Sequence, residues 1–365
     1  MRKYISAGFS LLASFLISIS GMGQNNLEVA LAGLSHDHVT GVLQQFRKGT
    51  VQIKGIAESN VELVKRYKQR YQLPDSLFYT DLPSLLKHIK PDAVLAFNAI
   101  ADHLSVVEAC APLGIHVMVE KPLAMTVKQA ERMAALARKH NIHLLTNYET
   151  TWYPSNQFLY ENIIDSSTIG PIRKMVVHDG HQGPKEIGVS KEFLEWLTDP
   201  MKNGAGALVD FGCYGANLMT WLMKGQAPIA VTAVTRRIKP DIYPKVDDDA
   251  TIILEYPGAT GIIEASWNWP FGIKDLEVFG TTGYLQAINN NTVRKKSGNQ
   301  PYSIEPIKDD AIRYRDFLQY LTAVIKGGKH PGQDLSSLDN NIIVVKILEA
   351  AKRSASEGRR VIFSK

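Results

Sequence analysis

Between residues 27 and 147 short apolar runs alternate with stretches of helical periodicity, and this alternation constrains the fold most strongly. Residues 27–32 (LEVALA) read as a strand, 39–47 as a helix, 51–57 (VQIKGIA) as a strand and 61–70 as a helix. A short helix follows at 82–89, with Asp81 as N-cap and Pro83 in its first turn. Next come a buried strand at 93–97 (AVLAF), a helix at 104–111 and a strand at 116–119. A helix at 127–140, capped by Thr126, and a strand at 142–145 complete the series. Parallel strands need long right-handed crossovers, and helices of this length supply them. The first half is therefore expected to be a doubly wound α/β domain with a parallel sheet.

The texture changes near residue 147. Runs at 173–178, 231–237, 251–256, 261–267 and 276–279 read as strands with few helices between them. Tyr256-Pro257-Gly258-Ala259 reads as a hairpin turn. Helices are expected within 160–164 and 214–223, and terminal helices at 314–325 and 342–353. The second half is thus expected to be α+β with a mainly antiparallel open sheet. The expected division is 24–146 for a nucleotide domain and 147–365 for a substrate and oligomerisation domain. The terminal helices are free to pack back on the first domain. Hydrophobic residues at 45% and charged residues at 21% exclude disorder for most of the chain. Two cysteines, Cys110 and Cys213, cannot build a disulfide framework.

Residues 1–23 have their own logic. Arg2 and Lys3 precede an apolar stretch at 5–19, and small Gly21 and Gly23 follow. That order matches a secretory signal, with cleavage expected after Gly23 and export to the periplasm. Serines interrupt the stretch, and a membrane span needs about 20 clean apolar residues. Losing Arg2 and Lys3 takes the net charge from +5 to +3. Charge so near balance gives nucleic-acid binding no electrostatic support.

In a doubly wound domain ligands bind at the carboxyl ends of the strands. The first strand ends in Gly33-Leu34-Ser35-His36-Asp37-His38, where a dinucleotide fingerprint wants Gly-x-Gly-x-x-Gly. Gly33 fits, Ser35 is small enough for a pyrophosphate to approach, and His38 takes the third position. The second strand ends at Glu58, near the spacing of the carboxylate that binds a ribose 2′-hydroxyl. An anion there repels a 2′-phosphate, so NAD is expected over NADP. Asn98 and His103 follow the strand at 93–97, and Glu120-Lys121-Pro122 follows the one at 116–119. A desolvated Lys121 near a nicotinamide's positive charge is expected to have a lowered pKa, suited to proton transfer.

Further on, Asp210, Tyr214 and Asn217 follow a Gly-rich entry, spaced to share one helix face. On spacing alone each feature also has a plain structural reading. The loop is then a βα turn, Glu58 a helix-start charge, Lys121 a solvated charge and Asp210 a cap.

Together these segments resemble the Gfo/Idh/MocA oxidoreductases (glucose–fructose oxidoreductase, inositol dehydrogenase and rhizopine-catabolism proteins) from about residue 27 to the C-terminus. The resemblance is specific at Glu120-Lys121-Pro122, preceded by Ala111-Pro112-Leu113-Gly114-Ile115-His116-Val117, and at Gly204 to Asn217. Tyr214 with Asn217, Asp248-Asp249-Ala250-Thr251 and Glu264-Ala265-Ser266-Trp267 look similar to the glucose–fructose oxidoreductase and sugar dehydrogenase branch. The departure is Ser35 and His38 in the Gly33 loop.

The resemblance implies NAD and hydride transfer to or from a secondary hydroxyl of a sugar or glycoside, and export, where NAD is not readily regenerated, adds the expectation that the nucleotide is tightly bound. It implies catalytic roles for Lys121, Asp210 and Tyr214, with either Lys121 or Tyr214 as the base. Tyr214 as base would need its phenol pKa lowered by the adjacent ammonium. Gly33, Ser35, His36 and His38 are then expected at the nucleotide, with Glu58, Asn98, His103, Glu120 and Lys121 completing its site. Substrate contacts are expected from His178, Asp179, His181, Trp196, Trp267, Trp269 and Asn217. No metal is expected, since His36-Asp37-His38 and His178-Asp179-His181 lack the spacing of a known ligand set. A redox-neutral glycosidase or lyase acting through a transient 3-keto intermediate is the alternative, and a non-catalytic sugar or nucleotide sensor a third reading. A homodimer or homotetramer is expected from the open sheet.

Overall fold

The computed structural model describes residues 27–165, 167–307 and 314–363. The expected signal segment, 1–23, lies outside the described residues. Six strands form the first sheet: β1 (Glu28–Ala32), β2 (Gln52–Ala57), β3 (Phe78–Tyr79), β4 (Ala93–Ala96), β5 (His116–Glu120) and β6 (Leu144–Asn147). Their order is β3-β2-β1-β4-β5-β6, and every pair is parallel. The order reverses between β1 and β4, which opens a crevice at the strand ends. Local chemistry starts the helices where expected. The Asp81 carboxylate accepts from the Ser84 amide at 2.7 Å, and Thr126 accepts from Gln129 at 3.2 Å. Capping of this kind contributes about 1 kcal/mol each.

Nine strands form the second sheet: β7 (Ile172–Gly180), β8 (Ala230–Arg236), β9 (Asp249–Glu255), β10 (Thr260–Ser266), β11 (Ile273–Gly280), β12 (Gly283–Ala287), β13 (Thr292–Ser297), β14 (Ser303–Pro306) and β15 (Val361–Ile362). The order is β14-β13-β12-β11-β7-β10-β9-β8-β15, antiparallel except between β7 and β10. Burial alternates along β9 and β10, so one face is packed and the other open. The packed face carries Met175, Val177 and Asp179 of β7 and lies on the helix Gly212–Leu222. That helix is buried along its whole length.

The sequence expectation for Asp210, Tyr214 and Asn217 needs correction. Asp210 ends a separate turn, Ala207–Asp210, and Phe211 breaks the chain before the helix Gly212–Leu222 begins. The expected helix at 160–164 is also displaced. A helix occupies Pro154–Tyr160 and continues into a wider turn, Glu161–Asp165.

Candidate active site

A cavity and a buried polar cluster lie at the C-terminal ends of the first sheet. The first is a cavity of about 530 Å³ lined by Gly33, Ser35, Glu58, Asn98 and Asp102, with Trp196 and Lys202 reaching in from the second half of the chain. Gly33 has φ +85°, and a Cβ there would sit 2.8 Å from the Asn98 Cβ. Only glycine satisfies both the turn and the close approach. The Ser35 amide makes no hydrogen bond among the described residues, and the buried Asn98 Oδ1 likewise has no partner. A free amide, an orphaned amide oxygen and a glycine-lined wall fit a dinucleotide's phosphate and sugar groups. Glu58 lines the same cleft, and its two oxygens accept from the Leu34 and Asn60 amides at 2.8 Å each.

Several expected nucleotide contacts lie elsewhere. His36 is 1% exposed and packs against Phe193 at 4.5 Å and Trp196 at 5.6 Å between ring centroids. His103 is fully buried, with Nδ1 3.1 Å from the Leu123 carbonyl, so it braces the loop after Lys121. Glu120 is buried too, and its carboxylate meets His38 Nδ1 at 2.9 Å and the Asn147 amide at 2.8 Å. Burial works against this charge, but His38, His36 and Asn147 together hold it down at about 2. Trp196 belongs to the nucleotide cleft and not to a sugar site, since its indole N–H faces the Ser35 carbonyl at 3.4 Å.

The second, a buried polar cluster, centres on Lys121 just after β5. Its Nζ donates to the Asp210 carbonyl at 2.9 Å and to the Asp210 carboxylate, and both side chains are 7% exposed. The Trp267 indole N–H donates to the other carboxylate oxygen at 3.0 Å. Burial alone would lower the Lys121 pKa, but Asp210 outweighs it and the ammonium sits above its ordinary value. Burial would likewise raise Asp210, yet Lys121, His181 and Trp267 hold it low. The expected lowering of Lys121 is therefore reversed: the structure makes it a fixed cation. Tyr214 is reversed as well, because burial drives its phenol well above the ordinary value. Lys121 lies 5.0 Å from the Tyr214 ring centroid, and Lys274 lies 4.7 Å from it.

The remaining candidates divide by sheet face. His181 stands edge-on to Phe211 at 4.9 Å and within the field of Asp210. His178 is on the open face, where its Nδ1 meets Asp275 at 2.7 Å, so it does not face the cluster. Trp267 is fully buried beneath Asp210 and offers no stacking face. Asn217 is fully buried as well, tied to the Leu335 carbonyl at 2.8 Å. Two groups escaped the sequence reading, and a third was read there only as a substrate contact. Lys274 of β11 pairs with Glu149 over Tyr214. Asp179, noticed only as a hydroxyl reader, is buried with an unpartnered Oδ1 and a raised pKa. Asp247 staples the Gly-rich loop by accepting from the Gly206 and Leu208 amides at 2.8 and 2.7 Å. None of the three sits in a motif.

Comparison with known proteins places this geometry. Residues 27–148 match the oxidoreductase family with an NAD-binding Rossmann fold. Residues 160–286 match the GFO/IDH/MocA C-terminal domain. Human trans-1,2-dihydrobenzene-1,2-diol dehydrogenase is 24% identical over 264 residues, 72% of this chain and 73% of that protein. Aldose-aldose oxidoreductase from Caulobacter crescentus has the same fold, with TM-score 0.76, 24% identity and coverage of 92% of this chain and 99% of that one. GenD2 from gentamicin A biosynthesis, solved with NAD, superposes with TM-score 0.75 at 23% identity, over 98% and 100% of the two chains. The two matched domains together span more than half of the chain, which belongs to the Gfo/Idh/MocA family of NAD-binding oxidoreductases.

Proposed function

We propose that the protein oxidises a secondary hydroxyl of a sugar or glycoside, or reduces the corresponding ketone, with NAD in preference to NADP. The observation that carries this reading is the buried Lys121–Asp210 pair at the mouth of the nucleotide domain. Loss of a hydroxyl proton builds alkoxide character, and a preorganised ammonium in a water-poor site stabilises it. Asp210 fixes the direction of that ammonium, and Trp267 fixes Asp210. Bound NAD supplies the hydride acceptor. Gly33, Ser35 and Asn98 would hold it, and Glu58 would disfavour a 2′-phosphate. The names of the relatives support the same chemistry, since a trans-diol dehydrogenase and an aldose–aldose oxidoreductase both act on carbinol carbons.

Residues 1–23 carry the further reading that the mature protein works in the periplasm. Free NAD is not readily regenerated there, so the nucleotide is held tightly and recycled on the protein. The open face of the second sheet exposes Val234, Phe279, Tyr302 and Ile304, and supports pairing of two copies as a homodimer or homotetramer.

The test is to purify the mature chain, release bound nucleotide for mass spectrometry, and screen glycosides by NADH absorbance. A keto-sugar formed with NADH is the expected product. A released aglycone without net NADH would assign the redox-neutral glycosidase instead. Lys121→Ala is expected to lower kcat/KM at least about 100-fold. If Lys121→Ala and Tyr214→Phe both leave it within about threefold, the site assignment is wrong.

A further inference from the structure

We propose that His38, oriented by Glu120, is the base that takes the hydroxyl proton from the substrate, and so is more than a nucleotide contact. The inference rests on the oxidoreductase reading above and deepens it. His38 Nδ1 faces the buried Glu120 carboxylate at 2.9 Å and so donates to it. Its Nε2 has no hydrogen-bond partner among the described residues, and the side chain is 42% exposed. Glu120 is itself fixed. The Asn147 amide donates to its second oxygen at 2.8 Å, and the Trp152 indole N–H holds the Asn147 oxygen at 3.0 Å. A buried carboxylate that locks an exposed imidazole with one nitrogen free is the arrangement of a general base and its orienting partner.

The charged and titratable groups around His38 are few. Glu120 comes from β5 and His36 from its own loop, with ring centroids 4.4 Å apart. Glu149, which follows β6, feels the charge of His38. Glu120 directly precedes Lys121 in the chain, so the 2.9 Å contact ties His38 to the segment that carries the Lys121–Asp210 pair as well as to the nucleotide loop.

The other basic groups of the cluster are committed. Lys121 is a cation donating to Asp210. His181 accepts the Gly183 amide on Nδ1 at 2.8 Å, which leaves the hydrogen of its neutral ring on Nε2. Burial pushes the Tyr214 phenol and the Asp179 carboxyl well above their ordinary values. Glu149 is shared between Lys274 and the Tyr153 hydroxyl.

The ligand atoms of His36, His38 and Glu120 lie within 4.8 Å of one another, which raises the question of a metal. His36 argues against one. Its Nδ1 accepts the His38 amide at 3.2 Å, so its Nε2, the nitrogen turned toward Glu120, keeps its hydrogen.

The step balances without any further reactant. The carbinol C–H bond breaks as hydride to NAD⁺. The O–H bond breaks, its proton goes to His38 Nε2, and its electron pair closes the C=O bond. Ketone, NADH and imidazolium result, and the exposed imidazolium returns the proton to solvent.

The experiment has a structural and a kinetic readout. In the full mature chain labelled with ¹⁵N-histidine, the resonances of His38 are identified by their loss in His38→Gln. The neutral His38 ring is expected as the Nδ1–H tautomer, and Glu120→Gln is expected to abolish that preference. A dominant Nε2–H tautomer would overturn the dyad, whatever the substrate proves to be.

With a glycoside that wild type oxidises and NAD saturating, His38→Gln is expected to lower kcat about 100-fold or more. Added imidazole should restore part of the rate to His38→Ala, while NAD affinity stays within about threefold. A variant that loses tenfold or more in NAD affinity but keeps kcat makes His38 a cofactor contact only, and loss of wild-type activity on chelation makes the trio a metal site. Either result overturns the inference. If wild type oxidises no hydroxylated ring, the oxidoreductase reading fails, and the tautomer still decides the dyad.

Discussion

At the scale of the residue, the Lys121–Asp210 pair carries the proposed chemistry and sets a measurable stability. Lys121 has a raised folded pKa, so its contribution is complete below the ordinary lysine range and is lost only as pH rises above about 10.4. Asp210 has a lowered folded pKa, so its contribution is complete above the ordinary range and is lost as pH falls below about 3.9. The pair is therefore intact from about pH 5 to 9, and any activity limb in that window belongs to another group. Asp210→Ala leaves a buried ammonium without its partner and is expected to cost about 3–5 kcal/mol in urea unfolding. The double variant Lys121→Met with Asp210→Leu should recover most of that stability and none of the activity, because an apolar pair can replace a buried ion pair in the fold. Recovery of activity in the double variant would remove Lys121 from the mechanism. Lys121 and Asp210 were legible in the sequence because a motif surrounds each. Their pKa directions were not, since those depend on the 2.9 Å approach of two segments 89 residues apart.

At the scale of the element, the decisive piece is the Gly-rich entry that delivers Asp210. The backbone at Gly206 has φ −94° and ψ −119°, and a Cβ there would fall 1.7 Å from the Asp247 carbonyl oxygen. Gly206→Ala must push that strand-entry backbone away, at a cost of about 1–3 kcal/mol. Differential scanning calorimetry should show a lower Tm, and kcat should fall as Asp210 loses its aim at Lys121. An unchanged Tm would mean that the loop relaxes freely and does not aim Asp210. Elements with strong local signals were readable: the capped helices, and the apolar strands of the first sheet. The strands β12 to β14 were not, because GYLQA is a short run without clear alternation, and TVRKKS and SIEP are short and largely polar and paired only through register. Register also decides sidedness. His178 and Asp179 are neighbours in sequence, yet period-two alternation puts His178 beside Asp275 on the open face and Asp179 near Lys121 in the site.

At the scale of the whole molecule, the two halves of the chain do not keep to themselves. The helix Phe317–Ile325 lies late in the sequence but packs into the first sheet's core, where Leu318, Tyr320, Leu321 and Val324 are at most 5% exposed. The helix Leu338–Glu357 joins both cores, with Val345 against the nucleotide side and Val344, Ile347 and Leu348 against the second sheet. Four buried side chains in the first of these helices are worth about 6–10 kcal/mol by area, as an upper estimate. That equals a typical domain's whole net stability of about 5–15 kcal/mol. The segment that carries every expected nucleotide contact, residues 27–148, should therefore not fold cooperatively alone. Its thermal circular dichroism is expected to show no sharp transition and NAD to produce none. In the full chain, Leu321→Ala should cost about 2–5 kcal/mol and lower the temperature at which bound NAD is released. A fragment that melts sharply and binds NAD would show that the nucleotide site is autonomous. If it does not, the second half of the chain sets how firmly the nucleotide is held, and the nucleotide cavity and the Lys121 cluster loosen together.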